Sequence, residues 1–234
     1  WGGMINGLLT LRGVWDKVRE DVILKFFVVA ITAYGMSTFE GPMLSLKNVN
    51  AIAHFTDWIV AHVHVGALGW NGFLTFGIMY YLVPKLYKTE LYSKKMASFH
   101  FWIGTLGILF YAVPMYWAGF TQGLMWKEFT AEGLLKYPNF LTTTLQIIPM
   151  HVLRGIGGAL YLSGVVVMAY NLGKTMLKGK LVADESAEAM ALVPEIEETD
   201  PADKKWHRVL ERKPMKFMVF SLIVILIGGM IEMM

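Results

Sequence analysis

The chain has 234 residues, of which 55% are hydrophobic and 17% charged, with a formal net charge of +3 and no cysteine. Soluble domains carry about 25% charged residues, so this composition argues against a cytosolic enzyme. The 21 Lys and Arg are scattered at chain turns and form no basic stripe of the kind nucleic acid requires, so no nucleic-acid partner is expected. Without thiols, any metal within these residues has to be held by His, carboxylate or Met.

A hydrocarbon core of about 30 Å needs roughly 20 apolar residues per helix. Residues 1–11 (WGGMINGLLTL) read as the end of a helix begun earlier. Five fuller stretches follow, at about 22–46, 55–83, 97–120, 146–171 and 216–234. None alternates as a barrel strand does, so all five are expected to be helices embedded in membrane lipid. The chain opens at Trp1 without Met or signal peptide and stops within an apolar run, which reads as a fragment of something longer.

The connections carry an orientation signal, because Lys and Arg are retained on the cytoplasmic side. Arg12, Lys17 and Arg19 precede the first full span, Lys47 alone follows it, and Lys85, Lys88, Lys94 and Lys95 come next. In the connection after that, Lys127 and Lys136 are offset by Glu128 and Glu132, and the last carries eight Lys and Arg. Segments 11–21, 84–96 and 172–214 are therefore expected inside, with 47–54 and 121–145 outside. Between 179 and 205 the apolar pattern fades and Asp184, Glu185, Glu188, Glu195, Glu197, Glu198, Asp200 and Asp203 accumulate beside Pro194 and Pro201. This reads as a solvated linker between a four-span block and a lone C-terminal span.

An ionisable residue inside a span costs about 2.5 kcal/mol or more, so each needs a reason. The second full span holds His62 and His64, which at 100° per residue point about 200° apart. One metal cannot readily take both, whereas opposite faces of one helix can offer an imidazole each to two cofactors, and neutral imidazole is a common axial ligand of haem iron. The alternative is a pair hydrogen-bonded to neighbouring helices in a transporter or proton path. Gly66, Ala67, Gly69 and Gly72 follow and suit close approach of another helix or of a flat macrocycle. His54 lies eight residues before His62, a little over two turns, and so on much the same side nearer the outer surface, where it meets a haem propionate or simply water.

The runs AHVHVGALGWNGF, WGGMINGLLTLRG, YGMSTFEGP, FHFWIGTLG, TQGLMW and VLRGIGGALYLSGVVVMAYN together resemble the catalytic subunit of the cbb-type haem-copper cytochrome c oxidases, over about residues 1–175. The last span resembles the anchor of that family's membrane-bound monohaem cytochrome c subunit. The implied organisation is 1–175 from the catalytic subunit, 176–207 an acidic cytoplasmic linker, and 208–234 a fused anchor. The implied fold is an all-α, polytopic transmembrane helix bundle of the haem-copper oxidase type, in the bacterial inner membrane. The implied reaction is reduction of dioxygen to water with electrons from cytochrome c, coupled to proton translocation, with c-type cytochrome subunits as partners.

Carried over residue by residue, the resemblance makes His62 the ligand of a high-spin haem b iron and His64 a ligand of a low-spin haem b iron. The copper ligands and active-site tyrosine of the family belong to helices before residue 1. Glu40 falls in the proximal pocket of the high-spin haem. A carboxylate accepting the imidazole N–H there raises ligand basicity and suits a proton-handling role; the alternative is a residue that snorkels or caps a Gly41-Pro42 break. Arg154 matches an arginine near the haem propionates, its alternative being an interfacial anchor, and His54 matches a histidine at the propionate end. His100 and His151 are read as packing or capping residues, the latter at an outer helix start, and His207 as solvated. Glu232 is open between a partner helix, a water-filled path and the membrane surface. Aromatic and Met residues are assigned to interfaces and cores. A nitric-oxide reductase of the same superfamily shares the paired-histidine helix, and a proton-coupled transporter is a reading from another class.

Overall fold

The computed structural model describes residues 2–13, 15–182, 215–216, 218–220 and 222–224. The chain divides into two compact units, Trp1–Asp184 and Glu185–Met234. In the second, the described positions are helical. The expected linker 176–207 is described only to residue 182, its first three residues being helical; the rest of it, His207, Glu232 and most of the expected fifth span lie outside the described residues.

The first unit is built from helices: α1 Gly2–Leu9, α2 Trp15–Glu20, α3 Val22–Ser45, α4 Lys47–Ala53, α5 Asp57–His64, a π-helical segment Val65–Gly72, α6 Phe73–Leu86, α7 Lys94–Met125 and α8 Phe140–Lys178. The sole β feature among the described residues is an isolated bridge between Phe129 and Leu135. It lies in the α7–α8 loop, where Lys136 pairs with Glu128 and that carboxylate holds the Lys136 ammonium above the usual lysine range. Three helices, α3, α7 and α8, are long and apolar enough to cross a membrane. Their outward faces carry Trp102, Leu109, Trp117, Leu153, Leu162 and Val166 exposed, as a hydrocarbon solvent demands. The chain is a multi-pass membrane helix bundle.

Two of these helices outrun the expected 97–120 and 146–171 at both ends. Apolarity marks only the part in lipid, whereas the true ends are set by caps: Ser93 accepts from Met96 N–H at 3.2 Å and Asn139 from Leu141 N–H at 3.0 Å. The helix α3 is capped by Asp21 in the same way and runs through Gly41-Pro42 to Ser45. The expected break is therefore displaced to Leu46, whose extended backbone ends the helix. Proline lacks the N–H that would bond four residues back, but within a packed bundle that loss alone does not stop a helix.

The expected span 55–83 is composite. From Asp57 to Leu86 the backbone is continuously helical, but Val65–Gly72 is π-helical. Such widened turns concentrate at functional sites and leave backbone groups to be satisfied from outside. Here the Tyr161 hydroxyl donates to the Leu68 carbonyl at 3.0 Å. Before Asp57 the helix does not continue: α4 ends at His54, Phe55 takes the left-handed conformation at φ 64°, and Thr56 caps α5. His54 thus belongs to the end of another helix and does not share the face of His62.

Packing is closest where glycines let backbones touch. A Cβ on Gly107 would stand 2.7 Å from Tyr161 N, and one on Gly157 2.6 Å from Tyr111 N, so α7 and α8 meet there backbone to backbone. At Gly119 a Cβ would collide with the Trp58 backbone nitrogen, where α7 meets the start of α5. No flexible side chain is available to yield. Gly119→Ala is expected to destabilise the unit by about 3 kcal/mol or more, at or beyond the upper end of overpacking costs. A clear fall in the thermal denaturation midpoint of the purified complex checks this, and an unchanged midpoint contradicts it. The inner core is aromatic: Phe26, Phe76 and Tyr80 pack against His100, which is fully buried, and Phe73 and Phe101 pack against Phe26.

Candidate functional site

His100 meets the packing role read from the sequence. Its Nδ1 lies 3.1 Å from the Tyr80 hydroxyl, and its Nε2 is buried without a hydrogen-bond partner.

The site forms where α5 passes between α3 and α7. Glu40 on α3 is 7% exposed, and a carboxylate at that depth requires donors. It has three. Trp58 Nε1–H donates to Oε1 at 2.5 Å, the Tyr116 hydroxyl donates to Oε2 at 2.6 Å, and His62 Nδ1 lies 3.2 Å from the same Oε2. Trp58 and His62 are four residues apart on α5 and so share a face. Tyr116 arrives from α7.

His64 turns toward α7. Its Nδ1 lies 2.7 Å from the Val60 carbonyl, its Nε2 3.0 Å from the Tyr111 hydroxyl, and its ring stacks on Tyr111 with centroids 4.4 Å apart. The two histidines therefore engage different helices, one by Glu40 of α3 and the other by Tyr111 of α7.

The hydrogen-bond partners decide the tautomers. In both imidazoles Nδ1 faces an oxygen acceptor, so Nδ1 carries the hydrogen and Nε2 is left with a lone pair. This is the state of an imidazole that ligates a metal through Nε2, with its other N–H oriented by a carboxylate or carbonyl. Among the described residues His62 Nε2 takes no hydrogen bond, so the donor set at His62 fits a haem iron. At His64 the Tyr111 hydroxyl occupies the lone pair, so the electronic state fits and Tyr111 has to yield for a metal to bind there. No three His, Asp or Glu side chains among the described residues converge closely enough to hold a metal ion by themselves.

Arg154 lies on the His64 side. Its guanidinium sits 5.9 Å from the Tyr111 ring centroid and 3.6 Å from Met115 Sδ. Neither partner is an anion, so its charge and most of its donors are uncommitted among the described residues, which fits an anionic ligand. His54 is exposed, its ring edge-on to that of Phe55 with centroids 4.0 Å apart. It is not brought into contact with His62, His64 or Glu40.

The structure adds residues that the sequence reading passed over. Asp57 Oδ2 lies 3.1 Å from His151 Nε2 and accepts from Gln122 Nε2 at 2.9 Å, while Gln122 Oε1 accepts from the Asp57 N–H at 2.7 Å. The first turn of α5 is thereby fastened to α7 and α8, five residues before His62. His151 is the partner in this tie, well inside α8, and does not sit at a helix start. Trp58 was legible from its four-residue spacing to His62; Tyr111, Tyr116 and Gln122 had no signal that set them apart from other residues of α7.

The model of the family Cytochrome C and Quinol oxidase polypeptide I matches residues 1–160. The chain is 54% identical over 179 residues to cytochrome c oxidase subunit 1 of Rhodobacter capsulatus, covering 76% of this chain and 34% of that protein. It is 52% identical over 178 residues to a cytochrome c oxidase subunit 1 homolog of Agrobacterium tumefaciens, covering 76% and 33%. To the cbb3-type cytochrome c oxidase subunit CcoN1 of Stutzerimonas stutzeri it is 45% identical over 192 residues, covering 82% and 40%. The chain spans about a third of the length of the curated relatives it matches first.

Proposed function

We propose, from the premise that this chain belongs to the cytochrome c and quinol oxidase polypeptide I family, that it is the haem-ligating C-terminal part of the catalytic subunit of a cbb-type terminal oxidase. In this reading His62 holds the iron of a high-spin haem b and His64 the iron of a low-spin haem b, each through Nε2. The observation that carries it is that both imidazoles sit on one stretch of α5 with Nδ1 tied to an acceptor, His62 toward the α3 side and His64 toward α7, where its Nε2 meets the Tyr111 hydroxyl.

The bound haems would pass electrons from cytochrome c to a buried centre at which dioxygen is reduced to water. The rest of the work falls to the chain. Glu40 accepts the His62 Nδ1–H and makes the imidazole a stronger donor to a metal. Trp58 and Tyr116 hold that carboxylate in place from α5 and α7. A proton-handling role for Glu40 belongs to the same proposal. Arg154 offers its uncommitted guanidinium to haem propionates, and His54 stands at the outer end in the same role. The resemblance assigns the copper ligands to helices before residue 1, and that assignment belongs to the same proposal.

Proton translocation belongs to the same proposal, since protons drawn from one side and electrons from the other move charge against a potential worth about 2.3 kcal/mol per charge per 100 mV. So do c-type cytochrome subunits as partners and the bacterial inner membrane as location, the relatives above being bacterial oxidase subunits. The division into 1–175, an acidic linker 176–207 and a fused cytochrome c anchor 208–234 is also a proposal. It rests on the composition change between 179 and 205.

A reduced-minus-oxidised optical spectrum of the purified complex tests the reading. Absorption bands of low-spin and high-spin b-type haem are expected. A spectrum without b-type haem contradicts the proposal and favours the transporter; iron in place of copper in metal analysis favours nitric-oxide reduction.

A further inference from the structure

The Glu40 carboxylate serves two masters on one oxygen. Oε2 accepts from the Tyr116 hydroxyl at 2.6 Å and faces His62 Nδ1 at 3.2 Å, while Oε1 is held by Trp58 Nε1–H. With Oε1 fixed, the carboxylate cannot rotate to give each donor its own oxygen. The two donors therefore compete for the electron density of Oε2, and the shorter contact belongs to the tyrosine.

The tyrosine ring is not free to withdraw. It packs against three separate hydrophobic clusters, represented by Ala61 and Met115, by Val65 and Ala112, and by Leu44 and Trp58. Its hydroxyl is delivered to Glu40 by that packing, from a helix that carries neither Glu40 nor His62. A residue needed only to satisfy a buried carboxylate could as well have donated to the open lone pair of Oε1. Tyr116 instead sits on the oxygen that faces the histidine.

We propose that Tyr116 is a positioning residue that limits the charge Glu40 delivers to His62, and so sets how strongly the His62 imidazole donates to the metal it holds. This rests on the reading of His62 as an iron ligand. Removing the competing donor leaves Oε2 to His62 alone, which shortens the Nδ1–H contact and gives the ring more anionic character. A stronger donor at Tyr116 does the reverse.

The test is the iron–imidazole stretching band in the resonance Raman spectrum of the complete, reduced oxidase complex. Tyr116→Phe is expected to raise the frequency of that band. Fluorination of the Tyr116 ring makes the phenol more acidic and a stronger donor, and is expected to lower it. Should the phenylalanine variant not assemble, the fluorinated protein, altered by one atom, decides by itself. Opposite shifts support the inference; an unmoved band in the fluorinated protein, or shifts of the same sign in both, overturn it while leaving His62 as ligand. The histidine assignment is tested apart by His62→Gly with imidazole added. A band that persists unchanged when unlabelled imidazole is exchanged for isotopically labelled imidazole removes His62 as the ligand, and this inference with it.

Discussion

Oxygen consumption is expected to fall by more than about 100-fold when His62 is replaced by alanine. Loss of a hydrogen-bond partner behind a metal ligand already costs about 10- to 100-fold in affinity or activity, and here the ligand itself is lost. The substitution also strands its neighbours: Glu40 keeps Trp58 and Tyr116 as donors, but Oε2 no longer faces an imidazole. His64 points to the other side of α5 and engages Tyr111, so the low-spin absorbance is expected to remain in His62→Ala. Stopped turnover with a preserved low-spin haem is the signature of two separate sites. Full retained activity contradicts the assignment of His62.

The complementary substitution, His64→Ala, is expected to remove the low-spin haem signal entirely while carbon monoxide still binds at the high-spin site. The Tyr111 hydroxyl, the nearest group to the vacated position, is a poor substitute for a neutral imidazole. Electron delivery through the low-spin haem would stop, so turnover is again expected to fall by more than about 100-fold. Unchanged low-spin absorbance in an assembled complex contradicts the role given to His64. Loss of both haem signals in either variant would mean that the two imidazoles share one centre.

What could be read from the sequence follows from what the bilayer enforces. Backbone groups in lipid have to be paired within a segment, so the spans appear as apolar runs and the helices over 22–45, 94–125 and 140–178 were foreseen in kind. Their ends were not, because Ser93 and Asn139 cap helices that continue beyond the apolar stretch. The π-helical turns at Val65–Gly72 left no mark either: a widened turn changes which carbonyl each N–H finds and needs no change of composition. The left-handed Phe55 is a similar case. A β-branched or aromatic residue seldom takes that conformation, so nothing in the local sequence announced that His54 and His62 sit on different helices.

The site divides along the same line. That His62 and His64 face apart was legible from 100° per residue alone, and Trp58 was within reach of the same arithmetic. The approach of Glu40 was implied by the family resemblance and not by spacing, since a contact between residues 22 apart on different helices has no periodic signature. Tyr111 and Tyr116 depend on how α7 is rotated about its own axis. Assigning most aromatics to interfaces and cores hid the two tyrosines that touch the histidine machinery.

The most direct test is a density map of the intact complex around α5. Two separate macrocycles are predicted, one with its iron joined to His62 Nε2 on the Glu40 side of the helix and one joined to His64 Nε2 where the Tyr111 hydroxyl now lies. Density in which either imidazole meets only protein or lipid contradicts the account.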